Sequence, residues 1–428
     1  MILSFAVENY LSFKGSVKID FEAASIKEHK ENVYSPSFKV DFNLLKSVGI
    51  FGNNNSGKSN LIKAASFMRE FVLNSSKESN SSQPIRIQPF LLSTSTDTLP
   101  STFEMVFILD TLKYKYGFSV TQRQVVSEWL FVTEKRKESK LFVRAHSDYS
   151  FEKKFKEGLK GKFEIFAEVT RPNSLFLSVL AQFNSTICVE ISKWFNELIF
   201  AHDTSHFNLI DSTASLMKIG DYRIMINEII KRADLGIENV EEQLKEKVND
   251  KSSFYEFMTS ASKNDEHAYR IMTGHLLYNN ENKPLKKIYF DLLQNESLGT
   301  QKFFGILGPI LYSLTQRKVI WVDEIDARVH SLLLQNIISL FNSNKYNPNC
   351  GQLIFTSHNL IVMKHGLRRD QMYIVNKDEF GASTIESLHS KGPKIRSDAS
   401  YDKDYLLGRY GGIPKLGTQL NIFDTYQE

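Results

Sequence analysis

The 428-residue sequence contains only two cysteines, Cys188 and Cys350, too few for a disulfide framework or a multi-cysteine metal site. It also lacks a long hydrophobic run. The longest, Phe303 to Leu314, falls well short of the ~20 residues a membrane span needs. The first residues, Met1-Ile2-Leu3-Ser4-Phe5, have neither the basic stretch nor the small-residue cleavage site of a signal peptide. Together these absences predict a soluble protein of the reducing cytoplasm with no membrane partner. Neither charge sign is in large excess. Lysine and arginine total 53 against 49 acidic residues, and the net +4 is too small to mark a dedicated nucleic-acid binder. A hydrophobic content of 42% and a charged content of 24% exclude wholesale disorder. The length predicts two domains, or one domain carrying a large insertion.

Short runs rich in β-formers, Ile2–Val7 and Val17–Phe21, read as a hairpin. The apolar run Leu44–Phe51 ends in a glycine-rich turn, after which Leu61, Ala65, Met68 and Val72 recur at helical spacing. This predicts a strand–loop–helix unit. Strands follow at Thr102–Leu109, Tyr114–Val120, Val125–Thr133 and Leu141–Val143. From about Lys154 the pattern turns helical, with Leu175–Phe183, Ile191–Phe200, Ile224–Ala233 and His267–Met272 as the spaced apolar stretches. No sustained heptad and no solenoid repeat is present. Beyond Pro284 a helix (Phe303–Leu314), a strand (Val319–Val322), a helix (Leu332–Phe341) and a strand (Gln352–Thr356) alternate, the pattern of a mostly parallel sheet covered by helices. Pro309 predicts a kink in the first of these helices.

Gly52-Asn53-Asn54-Asn55-Ser56-Gly57-Lys58-Ser59 fits G-x-x-x-x-G-K-[ST] at every fixed position. Glycines let backbone N–H groups curl around phosphate oxygens, and the helix that follows, entered at Asn60, turns its positive end toward them. Lys58 would reach the β- and γ-phosphates of ATP, and the Ser59 hydroxyl would ligate Mg²⁺. Asn54 and Asn55 suit such a loop because asparagine tolerates left-handed backbone. A second element is the strand run Val319-Ile320-Trp321-Val322, which ends in Asp323-Glu324. In that position Asp323 would hold Mg²⁺ and Glu324 would polarise the attacking water. A strand that runs into acidic residues is, alone, usually a solvated turn; the phosphate loop changes that balance. A third strand ends at His358, placed to sense the γ-phosphate or the attacking water. The fourth element, Glu296-Ser297-Leu298-Gly299-Thr300, precedes a helix and is by itself an ordinary cap with Ser297 as its capping residue.

An early phosphate loop, a long interruption, then Ser-x-Gly, Asp-Glu and a late His resembles the ATP-binding-cassette order, in its chromosome-maintenance (SMC) branch rather than among transporters. The resemblance implies an α/β P-loop ATPase head, a mixed sheet with flanking helices plus an antiparallel β-lobe, with an inserted helical domain. Residues 1–150 and 291–428 would form the two parts of the head and 151–290 the helical insertion. It also implies that Ser297 and Gly299 close on the nucleotide of a second subunit, that Asp326 is a dimer-contact aspartate and that His358 is the switch histidine. Gln88 is the nearest candidate for the glutamine between the lobes. Arg171-Pro172-Asn173-Ser174-Leu175-Phe176-Leu177-Ser178, Lys231-Arg232-Ala233-Asp234-Leu235-Gly236-Ile237 and Asp404-Tyr405-Leu406-Leu407-Gly408-Arg409-Tyr410-Gly411 narrow it. They resemble the bacterial "AAA-15" ATPases related to overcoming-lysogenization-defect proteins and to the RloA and AbiL proteins of restriction and abortive-infection loci.

Such relatives often work with a nuclease or toxin encoded beside them or fused as a C-terminal Toprim domain. The 70 residues after His358 (428 minus 358) are too few for that domain. Asp402-Lys403-Asp404 has no strand before it and reads as surface. The expected protein is therefore a homodimeric or larger ATP·Mg²⁺ switch that controls a separately encoded nuclease or toxin in anti-phage defence. The alternative is a repair or recombination ATPase that clamps DNA, for which Lys153, Lys154, Lys156, Lys160 and Lys162 form the densest basic run.

Overall fold

The computed structural model describes residues 1–36, 42–77, 83–134, 137–152, 155, 163–201, 206–244, 269–327, 329–364, 366–391 and 400–413. Five strands precede or enter the phosphate loop: β1 (Ile2–Glu8), β2 (Val17–Asp20), β3 (Val33–Tyr34), β4 (Leu44–Leu45) and β5 (Ser47–Phe51). A run of five more follows, β6 (Ser101–Leu109), β7 (Leu112–Val120), β8 (Val125–Glu134), β9 (Lys137–Ala145) and β10 (Asp148–Phe151). The middle of the chain supplies β11 (Ile199–Ala201), β12 (Asn239–Leu244), β13 (Tyr269–Tyr278) and β14 (Pro284–Asp291). The last part supplies β15 (Val319–Val322), β16 (Gln352–Ser357), β17 (Met372–Lys377) and β18 (Ser383–Ser387).

Two sheets carry the molecule. The first is a seven-stranded antiparallel lobe in the order β10-β9-β8-β7-β6-β1-β2. The second has six strands in the order β11-β15-β16-β5-β17-β18, parallel throughout except for β18. Alternation along the strands explains why this second sheet is covered on both faces. In β15, Trp321 packs into the core shared with the lobe, whereas Ile320 and Val322 face the helices opposite. The Lys58–Asn74 helix lies in the shared core, with Leu61, Ile62, Ala65, Met68 and Val72 buried there beside lobe residues Phe103, Met105 and Phe118. Gln352 stitches the sheets together: its side chain accepts from the Ile2 N–H (2.7 Å) and donates to the Ile2 carbonyl (3.0 Å).

The helix predicted around Phe303–Leu314 runs from Leu298 to Gln316 with Pro309 inside it. Proline cannot donate to the carbonyl four residues earlier, that of Gly305. Thr213, from the neighbouring His206–Met217 helix, donates its hydroxyl there instead (2.7 Å) and accepts from the Gly308 N–H (3.1 Å). The proline is thus accommodated by a neighbour's hydroxyl.

The span expected as a helical insertion does contain helices at Phe163–Val169, Phe176–Gln182, Thr186–Asn196, His206–Met217 and Gly220–Arg232. It also contains strands that helical spacing does not predict. The Ile191–Phe200 stretch ends its helix at Asn196, and β11 then pairs in parallel with β15 at the edge of the six-stranded sheet. Likewise the expected helix His267–Met272 is strand β13 from Tyr269 onward, paired with β12 and β14. Here Ile271 and Thr273, both β-branched and both buried, alternate on one face.

Candidate nucleotide site

β5, β15 and β16 end side by side at the same edge of the six-stranded sheet, so the residues that follow them meet although they lie far apart in sequence. The turn after β5 is the phosphate-loop motif. Gly57, the residue before the helix, has φ 110°, and a Cβ there would sit 2.5 Å from the Ser383 hydroxyl and 2.6 Å from that of Ser12. Only glycine fits without a shift. Asn55 takes a left-handed φ of 64°, as expected for asparagine. The loop is further tied down by Ser383, whose hydroxyl donates to the Ser56 carbonyl (2.6 Å), and by Asn60, whose amide donates to Ser12 (2.8 Å).

The Lys58 ammonium curls back over the loop and donates to the carbonyls of Gly52 (3.0 Å) and Asn53 (2.9 Å). Burial lowers its pKa to about 8, against the opposing pull of Asp323, Glu324 and Asp326. A cavity of about 380 Å³ opens beside it, lined by Asn54, Asn55, Ser56, Gly57, Lys58, Ser59, Asn60, Glu324 and His358. The Ser59 hydroxyl donates to Asp323 Oδ1 (3.1 Å), and the Asp323 N–H is held by the Ala201 carbonyl of β11 (2.9 Å). Glu324 has φ 46°, a left-handed conformation that costs energy for a non-glycine residue. Its N–H donates to the Thr356 hydroxyl (2.7 Å), and its carbonyl accepts from Lys302 (3.1 Å) and the Ala327 N–H (2.9 Å). The His358 N–H donates to Asp326 (3.0 Å). Partial desolvation and the nearby Lys58 cation hold the His358 imidazole below its ordinary pKa.

The expected residues of the loop, the acidic turn and His358 therefore converge. Ser297 and Gly299 do not line the cavity. Ser297 caps the Leu298–Gln316 helix by accepting from the Thr300 N–H (3.1 Å), and Leu298 beside it is 54% exposed. Gln88 is exposed on the lobe side, where its carbonyl accepts from the Leu11 N–H (3.0 Å). Asp404 pairs with Arg409 (2.6 Å) and Tyr410 (3.0 Å). Among the described residues no cluster of three or more metal-ligating side chains occurs. Sequence reasoning missed Ser12, Thr356 and Ser383. Thr356 carried a faint signal, a polar residue within the buried run before His358; Ser12 and Ser383 carried none.

A model of the family described as "AAA domain, putative AbiEii toxin, Type IV TA system" matches residues 47–364, from β5 through the short helix Ile361–Lys364 that follows His358. The chain belongs to this family. Its AAA domain is of the P-loop ATPase class, a mixed α/β fold. A solved structure, the SMC head domain from Thermotoga maritima, aligns over 90% of this chain and 98% of that one, at 14% identity and a TM-score of 0.38. No curated protein matches the chain. Among the described residues of this AAA-domain protein, no helix is long and apolar enough to cross a membrane.

The donor set fits magnesium and a polyphosphate. Ser59 and Asp323 offer the hard oxygen ligands that Mg²⁺ prefers, and Lys58 supplies a cation whose hydrogen bonds, among the described residues, go to backbone carbonyls rather than to a carboxylate. The Ser56 hydroxyl, 1% exposed, has no hydrogen-bond partner among the described residues.

Proposed function

We propose that this protein is an ATP-binding and hydrolysing switch, and that the convergence of Lys58, Ser59, Glu324 and His358 on one cavity, with Asp323 hydrogen-bonded to Ser59, carries that reading. Mg²⁺ held by Ser59 and Asp323 would supply charge neutralisation for the β- and γ-phosphates. The chain's own groups do the rest. The loop N–H groups of Asn53 to Ser59 orient the phosphates and Lys58 draws charge from them. Glu324 takes a proton from the water that attacks, and His358, kept neutral, orients that water or the γ-phosphate.

Exposed Ser297 and Leu298, with Gly299, stand apart from their own cavity. This arrangement supports a head-to-head dimer in which they complete the nucleotide site of a second copy. The finer placement, among AAA-15 proteins related to overcoming-lysogenization-defect ATPases, rests on the segments Arg171–Ser178, Lys231–Ile237 and Asp404–Gly411. The family's description as a putative toxin of a type IV toxin–antitoxin system supports a place in such a system; control of a separately encoded nuclease or toxin in anti-phage defence rests on the AAA-15 resemblance. The basic run Lys153–Lys162 of the DNA-clamp alternative lies outside the described residues.

Glu324→Gln should bind ATP, fail to hydrolyse it in a single-turnover assay, and elute as a dimer in its presence. Lys58→Ala should not bind ATP in a calorimetric titration. Binding retained in Lys58→Ala, or hydrolysis undiminished in Glu324→Gln, would remove the site from consideration.

A further inference from the structure

We infer that Thr356 is a positioning residue for the acidic turn: its single hydroxyl sets the orientation of both Asp323 and Glu324. Thr356 lies in β16, between the phosphate-loop strand β5 and the acidic strand β15, and is fully buried. Its hydroxyl donates to Asp323 Oδ1 (2.6 Å) and accepts from the Glu324 N–H (2.7 Å). One hydroxyl thus spends its proton on the carboxylate placed to hold Mg²⁺ and a lone pair on the peptide of the carboxylate placed to activate water. No apolar isostere replaces either contact.

Two further observations support it. Glu324 stands at φ 46°, a conformation that persists only when its surroundings hold it, and the Thr356 hydroxyl holds the N–H side of that peptide. Asp323 Oδ1 also accepts from Ser59, so Thr356 fixes the carboxylate oxygen that faces the phosphate-loop hydroxyl. Groups that orient a metal's ligands without touching the metal change metal affinity or activity by about 10–100-fold when removed. The inference rests on the ATPase reading above and adds a residue that the sequence did not single out.

The test compares Thr356→Val, which keeps size and loses the hydroxyl, with Thr356→Ser, which keeps the hydroxyl. Two readouts are taken: ATP hydrolysis over a range of Mg²⁺ concentrations, and calorimetric titration of Mg²⁺ into the protein bound to a non-hydrolysable ATP analogue. Thr356→Val should lower kcat about 10–100-fold and weaken Mg²⁺ binding by a similar factor. Its affinity for the nucleotide in EDTA, which rests on Lys58 and the loop, should stay within about twofold of wild type. Thr356→Ser should restore both properties. Should the valine variant not fold, Thr356→Ala takes its place, with melting curves to establish folding. Wild-type turnover and Mg²⁺ affinity in Thr356→Val would overturn the inference, as would a Thr356→Ser variant impaired to the same degree. A wild-type protein that neither hydrolyses ATP nor binds Mg²⁺·nucleotide would overturn the ATPase reading and this inference with it.

Discussion

Nucleotide binding should be coupled to proton uptake by Lys58. Lys58 is 5% exposed, and burial lowers its pKa to about 8 against an ordinary value of 10.5. At pH 7 about a tenth of the lysines are neutral, at pH 8 about half, and at pH 9 about nine tenths. A bound triphosphate places negative charge beside the ammonium and returns its pKa toward 10 or above, so each binding event takes up the missing fraction. The expected uptake is about 0.1 proton per nucleotide at pH 7, about 0.5 at pH 8 and about 0.9 at pH 9. Calorimetric titrations in buffers of different ionisation enthalpy measure this directly, as the slope of observed enthalpy against buffer enthalpy. Apparent affinity should fall by a factor approaching ten per pH unit above about 8. Working at pH 8 to 9 keeps the lowered titration of His358, and that of the phosphate itself, out of the measurement. The sign for stability follows from the same shift. The folded pKa lies below the unfolded one, so the nucleotide-free protein gains stability from Lys58 as pH rises from about 8 to 10.5 and nothing below that window. A Lys58→Met variant, which like Lys58→Ala should not bind ATP, should lack this part of the pH–stability curve. A slope near zero at both pH 8 and pH 9, with flat affinity, would refute the reasoning.

Two structural substitutions test the frame that holds the site. Gly57→Ala puts a Cβ 2.5 Å from the Ser383 hydroxyl at a φ of 110°. It should cost about 1–3 kcal/mol of stability and at least about tenfold in nucleotide affinity, read by thermal melting and calorimetry; unchanged values would mean the loop gives way freely. Glu128 is buried in the lobe, its pKa raised by that burial, and it accepts from the N–H groups of Phe176 (2.6 Å) and Leu177 (2.9 Å) and from Tyr116 (3.0 Å). Glu128→Ala leaves those donors and Arg144 without it and should lower stability by about 3–5 kcal/mol in urea denaturation; a loss below about 1 kcal/mol contradicts the assigned role.

The site was legible in the sequence where one short segment carries a complete chemistry. The phosphate loop is such a segment, because its glycines, lysine and serine act within eight consecutive residues and a strand and helix flank them. The acidic turn and His358 became legible through order and spacing along the chain. The contacts that hold these groups were not legible, because each comes from a strand or turn that the fold alone brings near. Ser12 reaches Asn60 from the β1–β2 turn, Ser383 reaches Ser56 from the far hairpin, and Ala201 holds Asp323 from a three-residue strand. That strand shows why the middle of the chain was misread. Ile199 and Phe200 continue the apolar spacing of the helix before them, and only parallel pairing with β15 makes them a strand. β13 was hidden in the same way, since over six residues the periods of helix and strand are hard to separate.

The Lys58–Asn74 helix ties the phosphate loop to the rest of the fold. At its start, Gly57 is wedged against Ser12 and Ser383, and Lys58 grips the loop. At its end, the Arg171–Ser178 segment fastens the last turn. Ser178 donates to the Val72 carbonyl (2.6 Å), Ser174 to the Ser75 carbonyl (2.9 Å) and Arg171 to the Ser76 carbonyl (3.0 Å). The first of these satisfies a carbonyl that a helix end otherwise leaves to water, and the other two hold the turn that follows the helix. The same segment opens the Phe176–Gln182 helix, whose first N–H groups are held by Glu128 of the lobe. A shift of the phosphate loop along this helix therefore cannot stay local. It must either break these buried hydrogen bonds, at about 1–3 kcal/mol for each group left unpaired, or carry the lobe and the Phe176–Gln182 helix with it. Moving the connected parts together is the less costly course, so a displacement at Lys58 would pass along this helix to the Phe176–Gln182 helix and, through Glu128, to the lobe sheet.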